Sequence, residues 1–151
     1  MIQKEKIRLY LDDVRTPLNM SNEWVGELPE WQVVRSYDEF VEHIQKNGLE
    51  NYEIISLDHD LGESAMKEFY RNVHPNYTLN YNNIVEKTGY DCAKWLVEES
   101  VNKNIPLPKV YTHSANPIGS ANIMGYINNY LMRSRLPQTC IRINIKHSIN
   151  K

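Results

Sequence analysis

Two carboxylates and an imidazole occupy successive positions in the segment Asp58-His59-Asp60. The segment follows the apolar run Tyr52 to Leu57, which predicts a buried strand, and precedes Gly62, where the chain can turn sharply. Burying two acids and a histidine costs free energy unless a metal ion, a cation or hydrogen bonds compensate. The segment therefore predicts a site for a cation or a phosphate group.

Ionisable or polar residues also follow two other predicted strands. Asp12 and Asp13 end the run Ile7 to Leu11, and His113-Ser114-Ala115-Asn116 ends the run Lys109 to Thr112. Ligands of parallel sheets bind at the carboxyl ends of strands, so we expect these groups to converge. Asp12, Asp13 and Asp58 are predicted to hold Mg²⁺ or Mn²⁺, which prefer oxygen ligands. The alternative is that some of these acids cap loops or pair with Arg15.

Three residues are candidates for catalysis. His113 is predicted to be a general acid or base, because the pKa of histidine lies near working pH. The alternative is a histidine that hydrogen-bonds a neighbouring loop. Asp58 and Asp60 could share in the chemistry, since alternation along an extended stretch would point both to one side and His59 to the other.

Four residues are candidates for binding substrate phosphate: Arg15, His59, Ser114 and Asn116. Arg15 could bind a phosphate bidentately, or pair with Asp13. Ser114 and Asn116 begin a predicted helix, where backbone N–H groups favour anions. Simple helix capping is the alternative for both residues.

Strands and helices alternate along the chain, which predicts an α/β fold with a mainly parallel, five-stranded sheet. The predicted strands are 7–11, 31–35, 52–57, 109–112 and 139–145. Helices are predicted after Ser36, from Gly89 and from Pro117.

Length and composition point to one domain, 1–151, in the cytoplasm. The chain has 151 residues and a net charge of −2, which gives no sign of a broad surface for duplex nucleic acid. No apolar run is long enough to span a membrane, and the charged start of the chain does not resemble a signal peptide. Cys92 and Cys140 are expected to be reduced thiols.

Four stretches carry a family resemblance: Leu11-Asp12-Asp13-Val14-Arg15-Thr16-Pro17, Ser56-Leu57-Asp58-His59-Asp60-Leu61-Gly62, Gly89-Tyr90-Asp91 and His113-Ser114-Ala115-Asn116-Pro117-Ile118-Gly119. They resemble the receiver domains of response regulators, and more closely the cyclic-phosphate-processing receiver-like domains of bacterial and phage conflict systems. The resemblance implies a flavodoxin-like, three-layer fold with strand order 2-1-3-4-5. It also implies a divalent metal held by the acids and an activity on cyclic phosphates or nucleotides.

The chain departs from an ordinary receiver in several places. A Pro-containing loop, Val14 to Glu30, replaces the first helix, and only a few residues follow the last strand, so a regular first and last helix are expected to be missing. One sheet face should therefore be covered by that loop, by the insertion at about 63–88, or by a second subunit in a homodimer. Lys146 could serve as the receiver lysine, although His147 rather than proline follows it. Tyr77 and Tyr81 of the insertion could stack on a base or pin the loop to the core.

Three functions remain open from the sequence. The first is a metal-dependent phosphoesterase acting on a cyclic or linear nucleotide or another phosphate ligand. The second is a signalling module that is phosphorylated on Asp58, and the third is a module that sequesters a nucleotide without turnover. The imidazole of His113 favours the first over the second, because phosphoreceiver chemistry uses a hydroxyl and a lysine there.

Overall fold

A computed structural model describes residues 5–17 and 30–145 of the chain. Its centre is a sheet of five parallel strands in the order β2-β1-β3-β4-β5, as predicted. The strands are β1 (Ile7–Leu11), β2 (Gln32–Val34), β3 (Tyr52–Leu57), β4 (Lys109–Thr112) and β5 (Ile141–Arg142). The receiver-like α/β fold expected from the sequence is therefore confirmed.

Four α-helices of six or more residues connect and flank these strands in the described part of the chain: α1 (Tyr37–Asn47), α2 (Glu63–Glu68), α3 (Gly89–Lys103) and α4 (Pro117–Arg133). Side-chain caps begin three of them, and the caps Ser36 and Asn116 were candidates from the sequence. Ser36 accepts a hydrogen bond from Glu39 N at α1, Thr88 and Asp91 form a capping box at α3, and Asn116 accepts from Gly119 N at α4.

The helices α1, α3 and α4 pack against one face of the sheet and form the main core. Their apolar side chains meet the strand residues that point to this face. The opposite face carries a smaller cluster in which Tyr10 and Ile143 are buried among Trp31, Val33 and Tyr111. The loop expected to cover this face, Val14 to Glu30, lies mostly outside the described residues. The expected lack of a last helix falls on residues 146–151, also outside them, as does Lys146.

Several element boundaries differ from the sequence predictions. The fifth strand, predicted over 139–145, ends at Arg142 and begins only at Ile141. Its late start has a local reason: the side chain of Asn128 bonds both the N–H and the carbonyl of Cys140, at 2.7 and 3.0 Å, and so occupies groups that a longer strand would use. After α2 the segment 63–88, predicted from the sequence to be an insertion and called the insertion below, continues through a π-helical turn, Phe69–Val73, into His74–Asn76. Within the described ranges, no helix is long and apolar enough to cross a membrane.

Candidate functional site

Three carboxylates meet at the carboxyl edge of the sheet. Oxygen atoms of Asp12, Asp13 and Asp58 all lie within 4.8 Å of one another. The sheet hydrogen bonding continues one residue past the strands and aligns them, since Asp58 N donates to Leu11 O at 2.9 Å and Asp12 N to Val34 O at 3.1 Å. Asp12 and Asp58 are fully buried, and Asp13 is half-buried. The structure thus brings together the three residues that were predicted to bind a metal.

Asp12 accepts several hydrogen bonds within this acidic cluster. Its Oδ1 accepts from Val14 N at 3.0 Å and Arg15 N at 2.8 Å, which fixes the turn after β1. Its Oδ2 accepts from His113 Nε2 at 3.2 Å and lies 3.4 Å from Arg15 Nη1. Asp12 therefore uses both of its carboxylate oxygens in hydrogen bonds or ion pairs within the protein.

His113 is fully buried and both of its ring nitrogens have partners. An ionised carboxylate only accepts hydrogen bonds, so Nε2–H donates to Asp12 and Nδ1 accepts from the Ser56 hydroxyl at 2.7 Å. The imidazole also stacks on Tyr10, with ring centroids 4.1 Å apart. Burial lowers the pKa of His113 from its ordinary value, and the hydrogen bond to Asp12 opposes this only in part. These contacts favour a neutral imidazole that positions Asp12.

Two arginines hold the loop that carries the acids. Arg15 is buried beside Asp12, where its guanidinium offsets part of the carboxylate charge. Arg35 directly follows β2 and donates to the carbonyls of Asp12 and Arg15 at 3.1 and 2.6 Å. Sequence reasoning missed Arg35, although its place at a strand end on the same edge of the sheet could have marked it.

A second buried polar cluster forms around His59. Its Nδ1 lies 2.6 Å from Asp60 Oδ1, and its Nε2 lies 2.9 Å from the Tyr81 hydroxyl. Asn116 Nδ2 donates to Asp60 at 3.2 Å. The expectation that Asp58 and Asp60 would point to the same side was wrong, because β3 ends at Leu57 and strict alternation stops there. Asp58 joins the acidic cluster, whereas Asp60 pairs with His59.

Ser114 and Asn116, the predicted phosphate-binding residues of the loop after β4, form hydrogen bonds within the protein. Ser114 Oγ accepts from Asn116 N at 3.1 Å, and Asn116 Oδ1 caps α4. Both side chains are buried. These contacts support the capping alternative for Ser114 and Asn116, and they leave phosphate binding by either residue a prediction.

Tyr81 attaches the insertion to the rest of the fold. Its hydroxyl contacts His59 and accepts from Asn122 Nδ2 at 3.0 Å, while its ring stacks on Tyr90 with centroids 5.5 Å apart. Tyr77, in contrast, is 68% exposed. The structure therefore supports the anchoring alternative for Tyr81.

Two glycines allow the close contacts that hold this region together. A Cβ atom on Gly89 would overlap the carbonyl oxygen of Asp58, and one on Gly119 would overlap the imidazole of His59. Gly89 N also donates to His59 O at 2.9 Å. The helices α3 and α4 can therefore approach the segment after β3 only because these positions lack side chains.

The acidic cluster fits a hard divalent cation. All its donors are carboxylate oxygens, the ligands that Mg²⁺ and Mn²⁺ prefer, and no thiolate or imidazole belongs to the described set. Carboxylates packed this closely repel one another unless positive charge lies near them. Arg15 supplies part of that charge beside Asp12, and a divalent ion would supply more.

The parallel sheet, its strand order and the acids after β1 and β3 define a receiver-like domain. A family model described as the cyclic-phosphate processing receiver domain matches residues 7–129, and the chain belongs to this family. The family resemblance inferred from the four sequence stretches is thereby confirmed. Comparisons with curated proteins and with solved structures found no significant match.

Proposed function

We propose that this domain is a metal-dependent phosphoesterase that acts on a cyclic phosphate, such as that of a nucleotide, in a bacterial or phage conflict or signalling system. The observation that supports the proposal most is the acidic cluster of Asp12, Asp13 and Asp58 in a chain of this family. Oxygen donors at a buried strand edge suit a catalytic divalent ion.

Each residue of the site has a distinct part in this proposal. Asp12, Asp13 and Asp58 would hold the metal, which would supply positive charge beside a phosphate oxygen when bound. Asp12 adds negative charge and fixes the loop through its hydrogen bonds to Val14 and Arg15. Arg15 lies next to the cluster, where its guanidinium would meet a phosphate group that reaches the acids.

Two versions of the mechanism differ in the role of His113. As a proton carrier it would contribute about 10²–10⁴-fold to kcat. As a positioning residue it would act through Asp12, and its burial with both nitrogens engaged supports this version. The variant His113→Ala distinguishes the two versions. If His113 transfers a proton, the variant should lose kcat and one limb of the pH dependence of kcat. If His113 only positions Asp12, the variant should lose metal affinity together with kcat.

The test of the proposed activity is turnover. The protein is incubated with Mg²⁺ or Mn²⁺ and a panel of 2′,3′-cyclic, 3′,5′-cyclic and cyclic dinucleotides, and products are followed by ³¹P NMR. Metal-stimulated ring opening or cleavage that is lost in Asp13→Asn is the expected result. If the protein binds a nucleotide but leaves it intact under all these conditions, the phosphoesterase proposal is wrong.

A nucleotide-sequestering module is the second candidate. It is favoured by the complete burial of His113, which leaves no exposed imidazole nitrogen for proton transfer at this position. Tight binding without turnover in the same panel would establish it. Labelling of Asp58 by a small phosphodonor, with neither binding nor cleavage of nucleotides, would instead establish a receiver-type signalling module.

A further inference from the structure

Arg142, on the edge strand β5, is held against the loop that follows β4. Its Nε and Nη2 both donate to the carbonyl oxygen of Ser114, at 3.2 and 2.9 Å. These two bonds fix the plane of the guanidinium and leave the Nη1 hydrogens and one Nη2 hydrogen for other acceptors. The side chain is therefore pre-oriented although the residue is exposed.

Within residues 5–17 and 30–145, no carboxylate forms an ion pair with Arg142. The hydrogen-bond acceptor of its guanidinium is a neutral carbonyl. Partial burial lowers the pKa of the guanidinium from its ordinary value, yet arginine stays charged at neutral pH. A partly desolvated, oriented cation of this kind is suited to an anionic ligand.

A cavity of about 310 Å³ lies beside this guanidinium. Its lining includes Ser114, Arg142 and the exposed amide side chain of Asn144. It lies at the same edge of the sheet as the candidate site, because Arg142 pairs with Thr112 of β4, and Thr112 pairs with the last residue of β3, directly before Asp58. A substrate with one phosphate at the acidic cluster could therefore extend toward Arg142 along the loop after β4.

We propose that Arg142 forms an anion subsite for a second phosphate group of the substrate. The inference rests on the proposed function and narrows its substrate class to nucleotides that carry two separated phosphates, as a cyclic dinucleotide does. Arginine suits this role better than lysine, since its planar fork can meet phosphate oxygens bidentately while two N–H groups remain on Ser114.

The experiment compares a cyclic dinucleotide with the cyclic mononucleotide of the same base. Binding of both is measured by calorimetry with Ca²⁺ present, and ³¹P NMR verifies that the ligands stay intact. The wild type is expected to bind the dinucleotide more tightly, and Arg142→Gln should weaken that binding by about 10-fold to 100-fold while changing mononucleotide binding less than about twofold. Arg133→Gln, an exposed arginine in the last turn of α4, is the matched control and should change neither.

A purely structural role of Arg142 gives a different pattern. If it served only to hold Ser114, Arg142→Gln would weaken both ligands equally, and Arg142→Lys would not restore the preference for two phosphates. The subsite proposal expects partial restoration by lysine, because the positive charge returns without the planar fork. A wild type that binds both ligands equally, or neither, overturns the subsite. Turnover in the metal-dependent assay decides the proposed function separately.

Discussion

At the scale of single residues, Asp12 connects the separate parts of the candidate site. Its carboxylate joins the turn after β1 to Arg15 and to His113, and His113 in turn joins it to Ser56 inside β3. A buried chain of this kind fixes geometry, because each member would leave an unsatisfied polar group if it moved. The adjacent carboxylates of the cluster are then held close together even though they repel.

Repulsion within the acidic cluster gives a prediction for Asp58. Asp58→Asn keeps the Oδ1 that accepts from His59 N at 2.9 Å but removes a negative charge from the cluster. In the absence of metal, a calorimetric melt should therefore show equal or higher stability for the variant, while its affinity for Mn²⁺ falls. A large loss of stability without metal would instead mark Asp58 as a structural anchor.

The close contact at Gly89 gives a second prediction. Gly89→Ala places a methyl group against the carbonyl of Asp58, and such overpacking costs about 1–3 kcal/mol. Gly125→Ala is the matched control, since a Cβ on Gly125 of α4 meets no atom within 4 Å. The control should raise the free energy of unfolding by about 0.5–1 kcal/mol, as measured by urea denaturation. Equal effects of the two substitutions would contradict the packing argument.

Individual elements are positioned by buried polar side chains as well as by the core. Within the insertion, Glu68 is buried and accepts hydrogen bonds from Asn72 Nδ2, Asn83 Nδ2 and Asn80 N, at 2.9, 2.8 and 2.8 Å. Burial alone would raise the pKa of Glu68, but the hydrogen bonds from these three residues lower it overall. The ionised carboxylate therefore folds the insertion onto itself.

Removing this carboxylate should loosen the insertion locally. Glu68→Ala leaves Asn80 N without its acceptor, so the amide should exchange with solvent at least about tenfold faster, as measured by hydrogen exchange. Glu63→Ala, which changes an exposed acid at the start of α2, is the control and should leave the rate unchanged. Unaltered exchange at Asn80 in Glu68→Ala would show that other contacts hold the insertion.

His43 links α1 to the neighbouring strands β2 and β3 through hydrogen bonds. His43 of α1 contacts Tyr52 OH and Gln32 Oε1, each at 2.6 Å, and burial followed by repulsion from Lys46 lowers its pKa below 6.5. As pH falls through about 6.5, the unfolded chain binds a proton that the folded chain resists, so stability is present above this pH and lost below it. The melting temperature should therefore drop between about pH 7.5 and about pH 5.5, and less so in His43→Gln. Equal drops in both proteins would exclude His43 as a contributor.

Sequence patterns predicted the sheet and the meeting of the acids, because strand ends and strand order determine which loops converge. They could not predict the partners of His113, since Tyr10 and Ser56 lie within strands and carry no local signal of a site. The pairing of Asp60 with His59 likewise depends on how the chain turns after Leu57. The sequence did not indicate Arg142, because its role depends on a hydrogen bond to Ser114 in the loop after β4.

At the scale of the whole molecule, one face of the sheet carries the core while its carboxyl edge carries the charge. The three longest described helices bury the apolar side chains, and the acids, His113 and Arg142 lie after or at the ends of strands. Helix packing on the core face stabilises the fold. The carboxyl edge can therefore keep closely spaced carboxylates that a packed core would not tolerate. Metal binding should then stabilise the folded chain, because the ion would offset the repulsion among these carboxylates.

Binding of Mn²⁺ to the acidic cluster is the most direct test of this account. Titration followed by electron paramagnetic resonance should show one Mn²⁺ site per chain in the wild type, weakened at least about tenfold in Asp13→Asn. Asp38→Asn, which removes an exposed carboxylate from the first turn of α1, is the control and should leave the affinity unchanged. A wild type that binds no Mn²⁺, or an Asp13→Asn variant that binds it as tightly, would contradict a metal site formed by Asp12, Asp13 and Asp58.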